Sequence, residues 1–310
     1  MRFDYDPAQF ALDDTLACGQ AFCWERLASG VWRGVVGEAV VTLRQDGARC
    51  TVEATAGDAL ALVRDLFLLD TDLAAIRATL LTADPALAGP LGRAPGLRLL
   101  RQDPTECLLS FLCSTANSVP RIVLGIRRLS ALLGAPLGVL DGQPYYAFPT
   151  LTALAAADPA QVQAATGLGY RAPRLVDGAA QLLAQPADWL LGLRHTPYPV
   201  AHAALVTVRG VGPKVADCVC LFSLDQTAAV PVDTHIWQAA QQLWGRAGAG
   251  DPLPPGSKPV VGGLTAAAYQ RVGAAFRARY GDLAGYAQNW LFYDHFRGYW
   301  GGTSPLLKPR

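Results

Sequence analysis

The sequence predicts an α+β protein, with an N-terminal antiparallel β-sheet domain over residues 1–96 and a larger all-helical domain over residues 97–310. Three observations predict this arrangement. Over about the first ninety residues, short apolar or alternating runs are separated by turn pairs, which is typical of antiparallel strands. From Asp103 onward the apolar period becomes helical. Within that second region, a Gly-x-Gly turn joins two predicted helices, which indicates a helix-hairpin-helix motif at about 199–224.

The composition supports a folded chain of two domains. The 310 residues are 51% hydrophobic and 16% charged, which excludes an intrinsically disordered protein. At roughly 150 residues per domain, the length suits two domains. The 26 basic and 25 acidic residues give a formal net charge of +1. That balance argues against indiscriminate binding to polyanions, but it allows nucleic acid to bind at a local patch.

Four strands are predicted in the first region. The turn pairs Ser29-Gly30, Gly37-Glu38 and Asp46-Gly47 separate them, and Asp-Gly between apolar runs is a strong hairpin signal. Two helices, 57–69 and 71–82, are expected to cover one face of the sheet. Residues 83–96 contain three prolines and three glycines and are interpreted as a connector. The predicted strands are 22–26, 31–36, 39–45 and 48–54.

The second region begins with a clear helix start. Asp103 is a typical N-cap, and Pro104 occupies the first helical position, where its missing N–H costs nothing. The Pro/Gly-rich segment 248–263 is predicted to be a surface loop. Further helices are predicted at 118–133, 159–165, 171–183, 199–206, 213–224, 234–243, 264–280 and 283–299.

Neither a secretory signal nor a membrane span is expected. The first residues lack an apolar run, and no stretch reaches the roughly 18 apolar residues that a membrane helix needs. The seven cysteines are odd in number and form no C-x-x-C pair, which argues against a zinc site or an iron–sulfur cluster. We therefore expect reduced, mostly buried thiols and a cytoplasmic protein.

The turn Gly210-Val211-Gly212-Pro213 is the first candidate for a binding site. Its two glycines leave backbone N–H groups uncovered, and Pro213 opens the next helix. Together with that helix N-terminus, these donors make an uncharged anion site suited to one phosphate. The alternative is an ordinary corner between two helices in which the glycines serve only as caps.

Lys214 strengthens the functional interpretation. Only three of the 26 basic residues are lysines, and the other two, Lys258 and Lys308, fall in a predicted loop and in the tail. Lys214 lies in the first turn of a helix, where the dipole disfavours a cation. Such a position favours the neutral amine, which is the nucleophilic form. The alternative is a lysine that pairs with the bound phosphate.

Asp233 follows Lys214 by 19 residues in the segment Val230-Pro231-Val232-Asp233-Thr234-His235. It reads as an N-cap whose carboxylate accepts the first N–H groups of the next helix. A carboxylate kept ionised beside a nucleophilic amine suits a reaction in which positive charge develops, such as an oxocarbenium-like sugar. By itself, an aspartate in this pattern is more often only a cap.

Taken together, these segments resemble the helix-hairpin-helix DNA glycosylase superfamily, and within it the 8-oxoguanine DNA glycosylase/AP lyase branch. The resemblance extends over most of the chain, and the combination is far more specific than any one motif. The segments that carry it are Cys18-Gly19-Gln20-Ala21-Phe22-Cys23-Trp24, Arg98-Leu99-Leu100-Arg101-Gln102-Asp103-Pro104, Ser110-Phe111-Leu112-Cys113, Leu168-Gly169-Tyr170-Arg171-Ala172, Gly210-Val211-Gly212-Pro213-Lys214-Val215-Ala216-Asp217-Cys218, Val230-Pro231-Val232-Asp233-Thr234-His235 and Gly285-Tyr286-Ala287-Gln288.

The resemblance implies a reaction and a base pocket. Lys214 would attack C1′ of a flipped nucleotide, expel the base and form a Schiff base that permits β-elimination, while Asp233 stabilises the sugar cation. The base would lie in a flat slot with Phe292 on one face and Cys218 on the other. Gln288 would read the Watson–Crick edge. The carbonyl of Gly19 would accept the N7 proton that 8-oxoguanine has and guanine lacks.

The resemblance also implies contacts outside the slot. Asn117, Arg121 and Arg171 would read the orphaned cytosine, with Tyr170 as the wedge left in the stack. The sequence departs from the family pattern at Ala116, where the family typically carries asparagine, so discrimination for cytosine is expected to be weaker. Contacts to the DNA backbone are expected from Gly210, Val211, Gly212 and His235.

The implied partner is double-stranded DNA that contains 8-oxoguanine, bound by a monomer without a cofactor. In a prokaryote the protein would be associated with the nucleoid. A cation held by main-chain carbonyls of the hairpin stays open. Two alternatives also stay open: a glycosylase for an alkylated or ring-opened purine on the same scaffold, and a helix-hairpin-helix DNA-binding protein without catalysis. Lys214 argues against the alkylated-base enzyme, because such glycosylases typically lack the hairpin lysine.

Overall fold

The computed structural model describes residues 1–244, 264–299 and 304–307. It confirms an α+β fold in which an antiparallel sheet precedes a helical region that contains a helix-hairpin-helix. The predicted loop 248–263, with Lys258, and the tail residue Lys308 lie outside the described residues. None of the helices in these three ranges is long and apolar enough to cross a membrane.

The N-terminal sheet has five antiparallel strands in the order β1-β5-β4-β3-β2. Its central hairpin forms at Asp46-Gly47 as predicted, and Gly47 adopts the left-handed φ of +57° that this turn requires. Strand β1 was not predicted from the sequence, because it is only three residues long and pairs at the edge of the sheet. The strands are β1 (Arg2–Asp4), β2 (Trp24–Ala28), β3 (Val31–Val36), β4 (Ala39–Asp46) and β5 (Arg49–Ala54).

Fifteen helices occur in the described residues, and those with a strong cap or amphipathic pattern lie within a few residues of their predicted bounds. The helices are α1 (Leu12–Ala17), α2 (Ala59–Leu66), α3 (Leu73–Ala83), α4 (Ala88–Arg93), α5 (Pro104–Leu112), α6 (Val119–Leu133), α7 (Leu151–Ala155), α8 (Pro159–Thr166), α9 (Arg171–Leu183), α10 (Trp189–Gly192), α11 (Tyr198–Val206), α12 (Pro213–Ser223), α13 (Thr234–Trp244), α14 (Ala266–Tyr280) and α15 (Ala284–Tyr299).

The helices between the sheet and Asp103 pack against two different hydrophobic cores. Helix α2 buries Val63 and Leu66 in the core of the sheet. Helix α3 instead buries Leu73 and Leu80 in the helical core, so only the first of these two helices covers the sheet. The segment interpreted as a connector contains α4, which buries Leu91 in the same helical core.

A second, two-stranded hairpin projects from the helical region toward the sheet. It consists of β6 (Pro136–Leu140) and β7 (Gln143–Tyr146), and the sequence reading missed it. The hydroxyl of Tyr145 donates to Glu25 of the sheet at 2.5 Å, and Arg33 of the sheet pairs with Asp141 in the hairpin turn at 2.8 Å. The hairpin therefore ties the two regions together.

Helix α5 lies at the centre of the helical core and positions the helix-hairpin-helix. Seven of its nine residues are buried, and it packs against α9 and α12. The ring of Phe111 stacks on Phe222 of α12, with centroids 5.7 Å apart and planes at 17°. Because Phe111 is 3% exposed, this contact fixes the C-terminal end of α12 on a buried residue of α5.

Candidate active site

The helix-hairpin-helix consists of α11, the turn at residues 207–212 and α12. Gly210 adopts a φ of +87°, and a Cβ there would lie 3.3 Å from the side chain of Arg174. A side-chain amide of α9 clasps the turn: Gln181 donates to the carbonyl of Thr207 and accepts from the N–H of Arg209, each at 2.8 Å. The turn is therefore held in one shape before any ligand binds.

The N–H groups of this turn are free to form the predicted anion site, with one exception. The N–H groups of Gly210 and Gly212 have no acceptor among the described residues, and Gly212 is the N-cap of α12 without a side-chain cap. The N–H of Val211 instead donates to the carbonyl of Val208 at 3.0 Å, and Val211 is buried. The donors that face solvent are thus those of the two glycines and the first turn of α12.

Lys214 is the second residue of α12 and is partly buried. Its Nζ atom lies 5.0 Å from the ring centroid of Phe111 and forms a hydrogen bond with the thiol of Cys218, one turn further along the helix. Burial raises the pKa of Cys218 to about 11, although the charge of Lys214 lowers it. At neutral pH the amine therefore lies between an aromatic ring and a protonated thiol.

Asp233 caps α13, as its position in the sequence predicts. Its Oδ1 atom accepts the N–H of Ile236 at 2.9 Å, and its carbonyl accepts the N–H of Trp237. Its negative charge also raises the pKa of Cys218, so the carboxylate lies near the same thiol as Lys214. A cation that developed beside Cys218 would lie close to this carboxylate.

Gln288 is a buried amide with one free atom. Its Nε2 atom donates to the carbonyl of Pro231 at 3.1 Å, while its Oε1 atom is buried and has no partner among the described residues. A buried acceptor without a donor is rare and costs stability. The Oε1 atom is therefore suited to accept a hydrogen bond from an N–H group of a ligand. The Gln288 amide is anchored at Pro231, which precedes Asp233 by two residues in the chain.

Phe292 lies on α15, one turn after Gln288, and is half-buried. It stacks on Phe296 with centroids 5.5 Å apart and meets His235 edge to face at 5.8 Å. The segment 231–235 thus connects three site residues. Gln288 bonds with Pro231, Asp233 lies within the segment, and Phe292 contacts His235.

Gly19 stands in a bend after α1. Its φ of +82° requires glycine, and a Cβ there would lie 3.6 Å from Val119 at the start of α6. Its carbonyl accepts no hydrogen bond from the described residues. Three residues later, Phe22 meets Phe111 edge to face at 5.2 Å, so this bend and Lys214 contact the same aromatic ring.

The four residues expected to face the partner strand differ in their exposure and in the hydrogen bonds that their side chains already form within the protein. Arg121 is exposed and has no partner among the described residues. Tyr170 is 50% exposed. Arg171 bonds with the carbonyls of Thr115, Ala116 and Leu168, and Asn117 spends both ends of its amide on Cys113 and Ser118 of its own loop. Arg121 and Tyr170 are thus presented outward, whereas Arg171 and Asn117 organise the loop.

His235 contacts a histidine that sequence reasoning missed. Its Nδ1 atom lies 3.2 Å from Nδ1 of His295, and the pKa of His295 is lowered by burial and by the charge of His235. Two further residues of the site were not predicted from the sequence. They are Phe111, whose ring contacts Lys214, and Gln181, whose amide bonds with the hairpin turn. His295 lies one turn after Phe292, a spacing that places both side chains on the same helix face.

The cysteines and the acidic residues do not form a metal centre in the described ranges. No group of three or more His, Cys, Asp or Glu side chains there is placed to hold a metal ion. All seven cysteines are free thiols, and six of them are buried. The cation proposed for the hairpin main chain stays a prediction.

Two protein-family models match this chain. Residues 2–108 match the N-terminal domain of 8-oxoguanine DNA glycosylase. Residues 109–252 match the HhH-GPD superfamily of base excision DNA repair proteins.

Relatives and solved structures give the same picture. The chain is 37% identical to N-glycosylase/DNA lyase OGG1 of Arabidopsis thaliana over 297 residues, which covers 92% of this chain and 77% of the relative. It is 31% identical to an N-glycosylase/DNA lyase of Saccharomyces cerevisiae, over 76% of this chain and 68% of the relative. A Clostridium acetobutylicum 8-oxoguanine glycosylase/lyase, in complex with double-stranded DNA that contains cytosine opposite 8-oxoguanine, superposes with a TM-score of 0.81 at 30% identity, covering 94% of this chain and 93% of that one.

Proposed function

Because the chain belongs to the 8-oxoguanine DNA glycosylase/lyase family, we propose that it excises 8-oxoguanine from duplex DNA and then cleaves the strand at the same site. The observation that carries the proposal is the placement of Lys214 and Asp233 near the thiol of Cys218, together with a buried Gln288 oxygen that has no partner among the described residues. A DNA-binding protein without catalysis would need neither a nucleophile nor an orphaned acceptor.

The base slot is proposed to recognise the lesion by two acceptors. The Oε1 atom of Gln288 takes an N–H of the Watson–Crick edge, which is the partner that it lacks in the free protein. The carbonyl of Gly19, which is also free of described partners, takes the N7–H that distinguishes 8-oxoguanine from guanine. Each such bond, when it is left unmade in a buried site, costs about 1–3 kcal/mol. Phe292 and Cys218 supply the two faces of the slot.

The chemistry is proposed to begin at Lys214. Its neutral Nζ attacks C1′ of the flipped nucleotide, the bond from C1′ to the base nitrogen breaks, and the base leaves with the bonding electrons. The amine loses a proton and the sugar ring opens to give a Schiff base. Loss of a C2′ proton then expels the 3′ phosphate by β-elimination. Asp233, whose Oδ1 atom accepts the N–H of Ile236, stabilises the positive charge that develops on the sugar.

Binding of the duplex is proposed to use a few local contacts. The free N–H groups of Gly210 and Gly212 hold one phosphate, and His235 contacts another near the lesion. On the partner strand, Tyr170 enters the stack and Arg121 reads the cytosine, while Arg171 can reach a base only by releasing loop carbonyls. Since Ala116 offers no side-chain hydrogen bond, we expect weaker discrimination for cytosine than an asparagine would give.

We also propose that the protein works in a reducing compartment, that is, the cytoplasm, and at the nucleoid if the organism is prokaryotic. Seven free thiols support this placement, as does a substrate that is part of the DNA.

Borohydride trapping on duplexes that carry 8-oxoguanine tests the catalytic role of Lys214. The wild-type protein is expected to form a covalent complex, because borohydride reduces the Schiff base to a stable amine. The variants Lys214→Gln and Lys214→Arg are expected to form none. The arginine variant is the matched control, since it keeps the cation and therefore DNA binding but cannot form the Schiff base. Trapping of either variant at the wild-type level would refute the assignment.

A further inference from the structure

A cavity outside the base slot lies between the N-terminal sheet, α6 and the β6–β7 hairpin. It is a partly enclosed cleft of about 660 Å³, a volume that includes space open to solvent. None of the residues assigned above to the slot, the partner strand or the DNA backbone lines it. Five of its fifteen lining residues are aromatic: Phe22, Trp24, Tyr145, Tyr146 and Phe148.

One carboxyl group in this cavity lacks a cationic partner. Glu106 is the third residue of α5, and the N-cap Asp103 accepts its N–H at 2.9 Å. In the usual capping box the glutamate reaches back to the N–H of the cap residue. Here the carboxyl of Glu106 lines the cavity instead, and its hydrogen-bond partner among the described residues is the thiol of Cys23.

The other charged side chains of the cavity wall are already matched. Glu25 lies 3.7 Å from Arg127, and Arg33 lies 2.8 Å from Asp141. Among the described residues, Glu106 is thus the charged side chain of the cavity wall that has no partner of opposite charge. An aromatic cavity with one unmatched, desolvated carboxyl group has the character of a binding site rather than of a packing defect.

The chemistry of the cavity defines the ligand that it fits. A flat ring can lie between the aromatic walls, and a carboxylate accepts two parallel N–H bonds most strongly. We propose that this cavity binds a small planar ligand that presents two adjacent N–H donors, such as an amidinium or an aminopyridinium, to the carboxylate of Glu106. The proposal does not depend on the DNA repair activity.

The cavity shares an aromatic wall with the catalytic lysine. Phe22 lines the cavity and meets Phe111 at 5.2 Å, and Lys214 lies 5.0 Å from the same Phe111 ring. A ligand in the cavity can therefore alter DNA cleavage without entering the base slot. For that reason, binding has to be measured directly on the free protein rather than through activity.

Benzamidine is a suitable probe, and its dissociation constant can be measured by ligand-observed NMR on the full chain. We expect wild-type protein to bind benzamidine and to reject benzoate, which has the same shape and the opposite charge. Glu106→Gln keeps the shape and is expected to weaken binding at least about tenfold, the value of one charge-assisted hydrogen bond. Glu25→Gln is the matched control, because this carboxyl lines the same cavity but is already paired, and it is expected to bind as wild type does.

The pH dependence of binding gives a second readout. Burial raises the pKa of Glu106 to about 7, the nearby charge of Asp103 adds to this, and the hydrogen bond with Cys23 opposes it. Since the ligand needs the ionised carboxylate, its affinity is expected to rise between pH 6 and 8 in wild type and to stay flat in Glu106→Gln. The titratable and charged groups that line the cavity with Glu106 or lie beside it are Cys23, Glu25, Arg33, Asp103, Arg127, Tyr145 and Tyr146.

Three results would overturn the proposal. The first is an absence of benzamidine binding to wild type, and the second is equal binding by Glu106→Gln and wild type. The third is loss of binding in Phe292→Ala, which would place the probe in the base slot. Each can be distinguished from a failure of the DNA repair function, which borohydride trapping reports separately.

Discussion

At the scale of single residues, two buried glutamines show how a functional amide differs from a structural one. Gln20 uses its whole side chain: it donates to the carbonyls of Thr15 and Arg98 and accepts the N–H of Leu100, at 2.8–3.0 Å. Gln288 leaves its oxygen without a described partner. One amide stabilises the fold, and the other is held ready for a ligand.

This contrast predicts opposite outcomes for the same substitution. Gln288→Leu removes an unsatisfied acceptor but also the donor to the carbonyl of Pro231, so it is expected to cost only about 1 kcal/mol of stability while it lowers kcat/KM for 8-oxoguanine about tenfold or more. Gln20→Leu is expected to cost about 3 kcal/mol of stability, because it strands several backbone groups. Urea denaturation and single-turnover cleavage check the pair. A Gln288→Leu protein as destabilised as Gln20→Leu would make Gln288 a structural residue.

The pair His235 and His295 predicts a pH effect on stability. The pKa of His295 is lowered in the folded protein by burial and by the charge of His235. The unfolded chain therefore binds more protons than the folded one as the pH falls through the ordinary histidine range. We expect the free energy of unfolding to decrease from pH 7 to pH 5, and to decrease less in His295→Asn.

The control for this prediction is the exposed His195. His195→Asn is expected to keep the wild-type pH profile in the same urea titrations. If His295→Asn kept it as well, the contact between the two imidazole rings would have no energetic consequence.

At the scale of elements, the two glycines of the hairpin turn are expected to have different roles. Gly210 permits the backbone conformation of the turn, and Gly212 leaves room for the phosphate. Gly210 needs a left-handed φ of +87°, whereas Gly212 has an ordinary φ of −91° and open space around the position of a Cβ. Gly210→Ala is expected to cost about 1–2 kcal/mol in stability. Gly212→Ala is expected to hold or raise stability and still to weaken DNA binding, because its methyl group stands where the phosphate binds.

Urea denaturation and fluorescence anisotropy with duplex DNA separate these two effects. Binding by Gly212→Ala at the wild-type affinity would mean that the phosphate does not contact the N-cap of α12.

The elements that the sequence predicted are those with a local signal. The Asp103-Pro104 start of α5, the Asp46-Gly47 turn and the Gly-x-Gly hairpin all form where the residues indicate. Helix α1 was missed because it is six residues long and has no side-chain cap. Helix α4 was missed because glycines and a proline interrupt its pattern, and tertiary packing of Leu91 outweighs their poor helix propensity.

The site was predictable only in part, for the same physical reason. Lys214, Asp233 and the glycines are marked by local motifs, so their placement follows from the chain. The free oxygen of Gln288, the contact between His235 and His295 and the carbonyls that hold Arg171 are long-range contacts, which no local pattern encodes. The β6–β7 hairpin carries an Asp141-Gly142 turn, the same signal that marked the sheet, but its strands are largely exposed and lack alternation.

At the scale of the whole molecule, the described residues form two hydrophobic cores. One lies under the N-terminal sheet and includes Trp32 and Phe67, and the other fills the helical region. Leu73 and Leu91, which precede residue 96, belong to the second core. The division of the chain at residues 96 and 97 stays a prediction, and the cores indicate that the two parts fold against each other.

Arg98 is the buried residue that joins these parts. It is 2% exposed and donates to the carbonyls of Gln9, Leu68 and Thr71 and to the hydroxyl of Tyr5. Arg98→Met would leave these acceptors unpaired, so we expect a loss of at least about 3 kcal/mol. Arg98→Lys keeps the charge but few of the bonds, and its loss is expected to be intermediate.

Calorimetric unfolding measures the effect of these two variants. If Arg98→Met unfolded at the wild-type temperature, the bonds from this guanidinium would contribute nothing net to the fold.

The state of the thiols has a consequence for when this enzyme works. Burial raises the pKa of every one of the seven cysteines, including Cys218 beside the catalytic lysine. Peroxide attacks the thiolate rather than the thiol, and exposed thiolates most readily. The substrate of this enzyme accumulates under oxidative stress, when peroxide is abundant. Because these thiols are protonated and six of the seven are buried, we expect the protein to stay active under the conditions that create the damage it removes.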